Sequence, residues 1–344
     1  MTSQPVPLPT TTRASVLLAA GELAVEERAL TPPAADEVLV RVASVGVCGS
    51  DVHYFRDGRI GDFVVEAPLV LGHEAAGTIV AVGGAVDPAR VGTRVSIEPQ
   101  RANLTSAETL RGRYNLDPDM EFYATPPIDG AFAEFVTIQA HFAHEVPDSV
   151  SDDAAALMEP LSVGVASARK AGLTVGHRVL VTGAGPIGLI LVQVARAYGA
   201  SEVIVTDIEP SRLETALRLG ASQALDPREA DVTALGVDVF LEASGAVPAI
   251  RSGLRALRPG GVAVLIGMGP DEVALPLPVI QNRELVVTGV FRYANTWPTA
   301  IGLVRSGRVD LDAIVTGHYD LDHVREALES TSSPATLKSM VVPG

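Results

Sequence analysis

The segment from Arg178 to Thr206 constrains this chain more than any other. An apolar run, Arg178–Thr182, leads into Gly183-Ala-Gly185-Pro186-Ile187-Gly188. A helical pattern then reaches Tyr198 and stops at Gly199, and a second apolar run follows at Glu202–Thr206. Strand, glycine turn, helix and strand in that order make a βαβ unit, whose parallel strands need cover on both faces. The alternation continues. Pro210–Leu219 reads as a helix, with proline at its start and Gly220 just past its end. Strands are predicted at Val237–Leu241, Gly261–Ile266 and Leu285–Val290, with a helix around Val247–Leu257. This part of the chain is expected to be a doubly wound α/β domain.

The glycine turn carries a ligand expectation. Gly183 permits the tight turn and Gly185 lets backbone approach a pyrophosphate. Gly188 lets the helix pack on the sheet, and Pro186 and Ile187 open a helix whose free N–H groups favour anions. An ordinary glycine-rich connection has the same letters, but Asp207 ends the next strand, 19 residues after Gly188. A carboxylate there accepts from a ribose 2′-OH and repels a 2′-phosphate, so NAD is expected over NADP. Arg212, one helical turn on, either softens that rejection or is a solvated helix charge.

The first 150 residues differ. Nine of the 15 aromatic residues lie between Tyr54 and Phe142. Short runs at Glu37–Val45, Ala75–Val82 and Arg94–Glu98 are broken by glycines, which suits a compact β-barrel with long loops. The tail from Ala294 is mixed, with helices expected around Trp297–Ser306 and Leu321–Glu329. With 344 residues, two domains are expected. Lys and Arg number 26 against 41 Asp and Glu, a net charge of −15. That balance argues against nucleic-acid and anionic-membrane partners. Met1–Ala14 lacks the pattern of a signal peptide, and Val179–Ala195, the longest near-apolar stretch, is too short and too interrupted to span a bilayer. A cytoplasmic protein is expected.

The chain has one cysteine, Cys48, so disulfides within it and zinc sites needing two of its thiolates are excluded. Cys48 stands in Gly46-Val-Cys48-Gly-Ser50-Asp51-Val-His53-Tyr54, and Gly72-His73-Glu74 follows 25 residues after the thiol. Alone, a cysteine is most often an apolar filler. Thiolate, imidazole and carboxylate together suit Zn²⁺, and an incomplete protein shell leaves a position for water or substrate.

These stretches resemble the zinc-dependent medium-chain dehydrogenases, and within them the polyol (sorbitol/xylitol) branch. The likeness runs from about Glu37 to Ser306. It also includes Tyr114-Asn-Leu, Tyr123-Ala-Thr-Pro-Pro-Ile-Asp-Gly130, Glu159-Pro-Leu-Ser-Val-Gly164 and Gly289-Val-Phe-Arg292-Tyr293-Ala-Asn-Thr-Trp297. The resemblance implies a GroES-like β-barrel catalytic domain over 1–153, completed by 294–344, and a Rossmann cofactor domain over 154–293. It implies Cys48 and His73 as zinc ligands, with Glu74 and Glu159 at the metal, one direct and one through water. It implies that Asp51 orients the histidine ligand, although a loop cap is the plainer role for an aspartate there.

The implied reaction moves hydride from a secondary alcohol of a polyol to the nicotinamide of NAD, giving a ketose, with the metal lowering the alcohol's pKa. Ser50 and His53 stand at the family's proton-relay spacing. Tyr54, Phe122, Arg292 and Tyr293 match its substrate pocket, though Phe122 and Tyr293 also suit plain core packing. Many members bind a second, structural zinc through four cysteines. The matching positions here are Asn103, Ser106, Thr109 and Asp117, so one zinc per chain is expected. A homo-oligomer, preferably a tetramer, is implied as well. The rival readings are a related dehydrogenase acting on threonine, glucose or a simple alcohol, and, more distantly, a zinc-free quinone reductase or a non-catalytic nucleotide-binding protein.

Overall fold

A computed structural model describes residues 8–344. Residues 1–7, which begin the stretch read as lacking a signal peptide, lie outside the described part. The chain divides into two compact units. The first holds the described residues up to Leu110, then Asp117–Glu159 and Val315–Gly344; the second holds Arg111–Leu116 and Pro160–Ile314. The chain thus returns to the first unit after Ile314, later than the expected 293/294 boundary, because the helix Trp297–Arg305 counts with the second unit.

In the first unit the main sheet has seven strands. Six run in the order 143–145, 94–97, 74–82, 37–46, 338–341 and 315–319, and 135–139 also pairs with 37–46. Glu37–Gly46 is the hub: Gly46 pairs with Glu74 on one side and with Met340 on the other. A hairpin of Thr11–Ala19 and Glu22–Ala29, joined by Leu69–Val70, forms a second sheet. Its outer strand shows no clean alternation of burial, which is why sequence periodicity missed it.

The second unit contains the expected doubly wound sheet. Six parallel strands run in the order 223–225, 202–206, 178–182, 237–242, 257–265 and 286–289. The order reverses between Arg178–Thr182 and Val237–Glu242, the place where such sheets bind ligands. Their apolar residues, among them Leu180, Ile204 and Phe240, form a core closed by the helix Val247–Ala256. The limits expected for 178–182, 202–206 and 237–241 agree with those observed to within one residue, because strands buried on both faces are continuous apolar runs, whereas the strand expected from Gly261 begins at Leu257. The short strand Gln223–Leu225 and the helix Leu277–Asn282 carried no comparable signal. Among the described residues, no helix is long and apolar enough to cross a membrane.

Candidate metal and cofactor sites

In the first unit, Cys48 caps the helix Gly49–Asp57 in an extended conformation, and His73 and Glu74 stand where a loop enters the strand Glu74–Val82. Ligand atoms of Cys48, His73 and Glu74 all lie within 4.8 Å of one another. Three local devices bring them there. Gly72 adopts φ +87°, and a Cβ on it would lie 2.6 Å from the Phe132 ring, so only glycine lets the chain turn into His73. A Cβ on Gly46 would lie 2.0 Å from Oε2 of Glu74, so the missing side chain is the room for the carboxylate. Asp51, fully buried, accepts the N–H of Cys48 at 2.9 Å through Oδ2 and the N–H of Gly72 at 2.9 Å through Oδ1.

Asp51 therefore fills the capping role and also faces His73, with Oδ1 3.7 Å from Nδ1. Burial by itself would depress the His73 imidazole. The charges of Asp51 and Cys48, and hydrogen bonds to both, outweigh it and hold the ring well above its usual pKa. The His73 ring also packs obliquely on Phe122, with centroids 5.5 Å apart. A thiol, an imidazole and a carboxylate converging in a mostly buried pocket suit Zn²⁺.

Glu159 is buried near the start of the helix Met158–Lys170 but falls outside this three-residue cluster. Sequence reasoning missed Lys338. Its buried ammonium donates to Oε1 and Oε2 of Glu74 at 2.8 and 2.9 Å. No local motif marks it, because 264 residues separate the partners.

Ser50 and His53 are three residues apart on the helix Gly49–Asp57 and share a face. His53 is exposed and its Nδ1 lies 3.2 Å from Oδ2 of Asp57. Tyr54 and Phe122 are buried. The four positions of the absent cysteines lie in a hydrogen-bonded loop: Asp117 accepts from the N–H of Asn103 at 2.6 Å, and Ser106 donates to Thr109 at 3.0 Å.

In the second unit, Gly183 has φ +87°, and a Cβ on Gly188 would lie 1.8 Å from its carbonyl oxygen. Gly185 caps the helix Pro186–Ala197, and a Cβ there would meet nothing within 4 Å, which leaves open space at a helix N-terminus. Asp207 accepts the Ala184 N–H at 2.6 Å and the Glu209 N–H at 2.9 Å, so it braces the glycine turn. Nε of Arg212 is buried with no hydrogen-bond partner among the described residues, unlike a fully solvated helix charge.

Arg292 and Asn295 both have left-handed backbones, φ +52° and +56°, and the Arg292 guanidinium lies 4.8 Å from the Phe291 ring centroid. Tyr293 is 1 % exposed and meets Trp297 edge-on at 5.0 Å. The strained loop is held by the short Arg111–Leu116 strip: Asn115 donates to the Phe291 carbonyl at 2.8 Å, and Tyr114 Oη accepts the Asn295 N–H at 2.7 Å. Sequence comparison flagged Tyr114-Asn-Leu without this role.

Residues 34–148 match the family described as alcohol dehydrogenase GroES-like domain, and residues 186–306 that described as zinc-binding dehydrogenase. The chain is 43 % identical to a sorbitol dehydrogenase of Gallus gallus over 95 % of each chain. It is 41 % identical to a sorbitol dehydrogenase of Bacillus subtilis over 98 % of each. The crystal structure of L-idonate 5-dehydrogenase from Escherichia coli superposes with a TM-score of 0.92 at 27 % identity, over 96 % of this chain and 98 % of that one. The chain belongs to the zinc-dependent medium-chain dehydrogenases, in the branch that contains the sorbitol dehydrogenases.

Proposed function

We propose that this protein oxidises a secondary alcohol of a polyol, such as sorbitol or xylitol, to a ketose, passing hydride to NAD. The observation that carries the reading is the convergence of Cys48, His73 and Glu74 ligand atoms within 4.8 Å in a GroES-like unit, in a chain that also holds a doubly wound unit with a glycine turn braced by Asp207. Zinc, when bound, polarises the alcohol oxygen so that its proton leaves at neutral pH.

The chain's own groups do the rest. Cys48, His73 and Glu74 hold the metal, with Glu159 acting from beyond the cluster. Ser50 would accept the alcohol proton while passing its own through the cofactor ribose hydroxyls to His53, which hands a proton on to solvent. By the family resemblance, Tyr54, Phe122, Arg292 and Tyr293 are the residues assigned to the polyol, with the Arg292 guanidinium as a donor to sugar hydroxyls. Gly183, Gly185, Pro186, Ile187 and Gly188 cradle the pyrophosphate. Asp207 accepts from the adenosine ribose, and Arg212 lies beside it on the next helix.

A homo-oligomer, with a tetramer favoured, is part of the proposal. Among the described residues the terminal strand Val286–Gly289 has one unpaired edge, and Val286, Met268, Leu277 and Phe291 expose apolar surface on the same unit. A cytoplasmic setting accords with a site that needs its sole cysteine reduced.

The test is NAD reduction with a panel of pentitols and hexitols, before and after chelation and zinc add-back, alongside metal analysis. Polyol-dependent, zinc-restorable activity with one zinc per chain is expected. Activity that survives complete metal removal would overturn the reading.

A further inference from the structure

Lys338 is one of only two lysines in a chain that otherwise carries its positive charge on arginine. It lies on Lys338–Val341, between the strands 37–46 and 315–319 of the first unit, and is 3 % exposed. All three donors of its ammonium are used: two on the oxygens of Glu74, at 2.8 and 2.9 Å, and one on the Val47 carbonyl at 2.9 Å. Val47 precedes Cys48, so one cation holds the backbone beside one candidate ligand and the side chain of another.

The choice of lysine fits these partners. A compact ammonium satisfies three converging acceptors, whereas the planar guanidinium brings five donors and would leave some buried without partners. Held between both oxygens of one buried carboxylate and a backbone carbonyl, the Lys338 ammonium is a fixed positive charge at the back of the pocket. The missing side chain of Gly46 is what gives the Glu74 carboxylate room to sit against it.

We propose that Lys338 is a positioning residue that sets how strongly Glu74 binds the metal. By holding both carboxylate oxygens it draws part of the glutamate's charge to itself and keeps the metal pocket electron-poor. The inference rests on the reading of Cys48, His73 and Glu74 as the metal site. It explains why a chain built almost without lysine places one here, and it gives Glu74 two partners that compete for the same lone pairs.

The experiment compares holoenzyme of the parent with K338M and K338Q, both of which remove the charge. Zinc affinity is measured by chelator competition, and the ligand field by absorption spectra after cobalt substitution. With the ammonium gone, Glu74 donates fully, so the neutral variants should hold zinc about tenfold or more tighter and shift the cobalt bands. Parent-like or weaker zinc binding with an unchanged cobalt spectrum would overturn the proposal. Should both variants fail to fold, K338R replaces them: its planar, spread charge cannot meet all three acceptors as the ammonium does, so the cobalt bands should still shift, and a parent-like spectrum with parent-like zinc affinity would sink the idea. Metal analysis of the parent and C48S separates the two layers. A parent without zinc defeats the site itself, whereas a parent whose zinc is lost in C48S but insensitive to Lys338 defeats only this inference.

Discussion

Asp51 holds the N–H of Gly72 at 2.9 Å while its other oxygen holds the N–H of Cys48, also at 2.9 Å. One buried carboxylate thus ties together the two chain segments that carry the thiol and the imidazole. Asp51→Asn keeps the shape but replaces one acceptor with an amide that faces a backbone N–H. The substitution should destabilise the protein by about 1–3 kcal/mol. It should also weaken zinc binding by roughly 10–100-fold, since His73 loses the charge beside it. Thermal denaturation and zinc titration of the variant test both numbers, and a parent-like zinc affinity would show that the charge beside His73 does not tune the metal site.

Zinc uptake by the stripped protein should release protons. Although burial opposes it, the Asp51 and Cys48 charges raise the His73 pKa, which favours the protonated ring in the metal-free protein. A raised native pKa means that this ion pairing stabilises the metal-free protein fully below the unfolded value of ~6.5 and is lost as pH climbs through the native pKa. Zinc needs the neutral ring, so its affinity should rise with pH over that same interval. Calorimetric titration in buffers of different ionisation enthalpy counts the protons; no release assignable to histidine at pH 7 would contradict the ring's protonated state.

The strained loop carrying Arg292 gives a substrate-specific prediction. The left-handed backbone of Arg292 costs about 1–3 kcal/mol, which anchoring contacts must offset, whereas Asn295 tolerates that conformation. Asn115 anchors the Phe291 carbonyl, and Asn295 itself donates to the Gly112 carbonyl at 2.9 Å. Asn115→Ala should raise the polyol KM about tenfold, leave zinc content unchanged and leave the KM for NAD near the parent value. Initial-rate kinetics with each substrate varied in turn will show the split. Equal losses for polyol and NAD would point instead to general loosening of the second unit.

How much of this was legible in sequence depends on how far apart the cooperating residues lie. Gly183, Gly188 and Asp207 act within one βαβ unit, and the turn and strand limits follow from apolar runs and glycine positions. Cys48, His73 and Glu74 stand close enough along the chain for their chemistry to be noticed together. Lys338 reaches Glu74 only because Met340 pairs with Gly46 across the hub strand, a tertiary event with no local signature. The Arg111–Leu116 strip belongs with the second unit although its flanking residues belong with the first, and no composition shift marks the change. Glu159 was picked out by family resemblance alone, and its place outside the three-residue cluster was not readable.

The cofactor preference can be tested at Asp207, which has two roles in the structure. Its Oδ2 braces the glycine turn through Ala184 and its Oδ1 holds the Glu209 N–H at the start of the next helix, so the carboxylate is fixed before any nucleotide arrives. A fixed carboxylate repels a 2′-phosphate, while Arg212, whose buried Nε has no hydrogen-bond partner among the described residues, offers a cation five residues further on. Asp207→Ala should therefore lower kcat/KM for NAD by at least tenfold, by loss of the ribose acceptor and slackening of the turn. It should raise kcat/KM for NADP over the parent, because attraction to Arg212 replaces repulsion. The double variant with Arg212→Ala should lose that gain and keep the NAD defect. Steady-state kinetics of the three variants with both cofactors decide the matter: a gain in NADP use that persists without Arg212 would mean that removing the carboxylate, and not exposing the guanidinium, relaxes the discrimination.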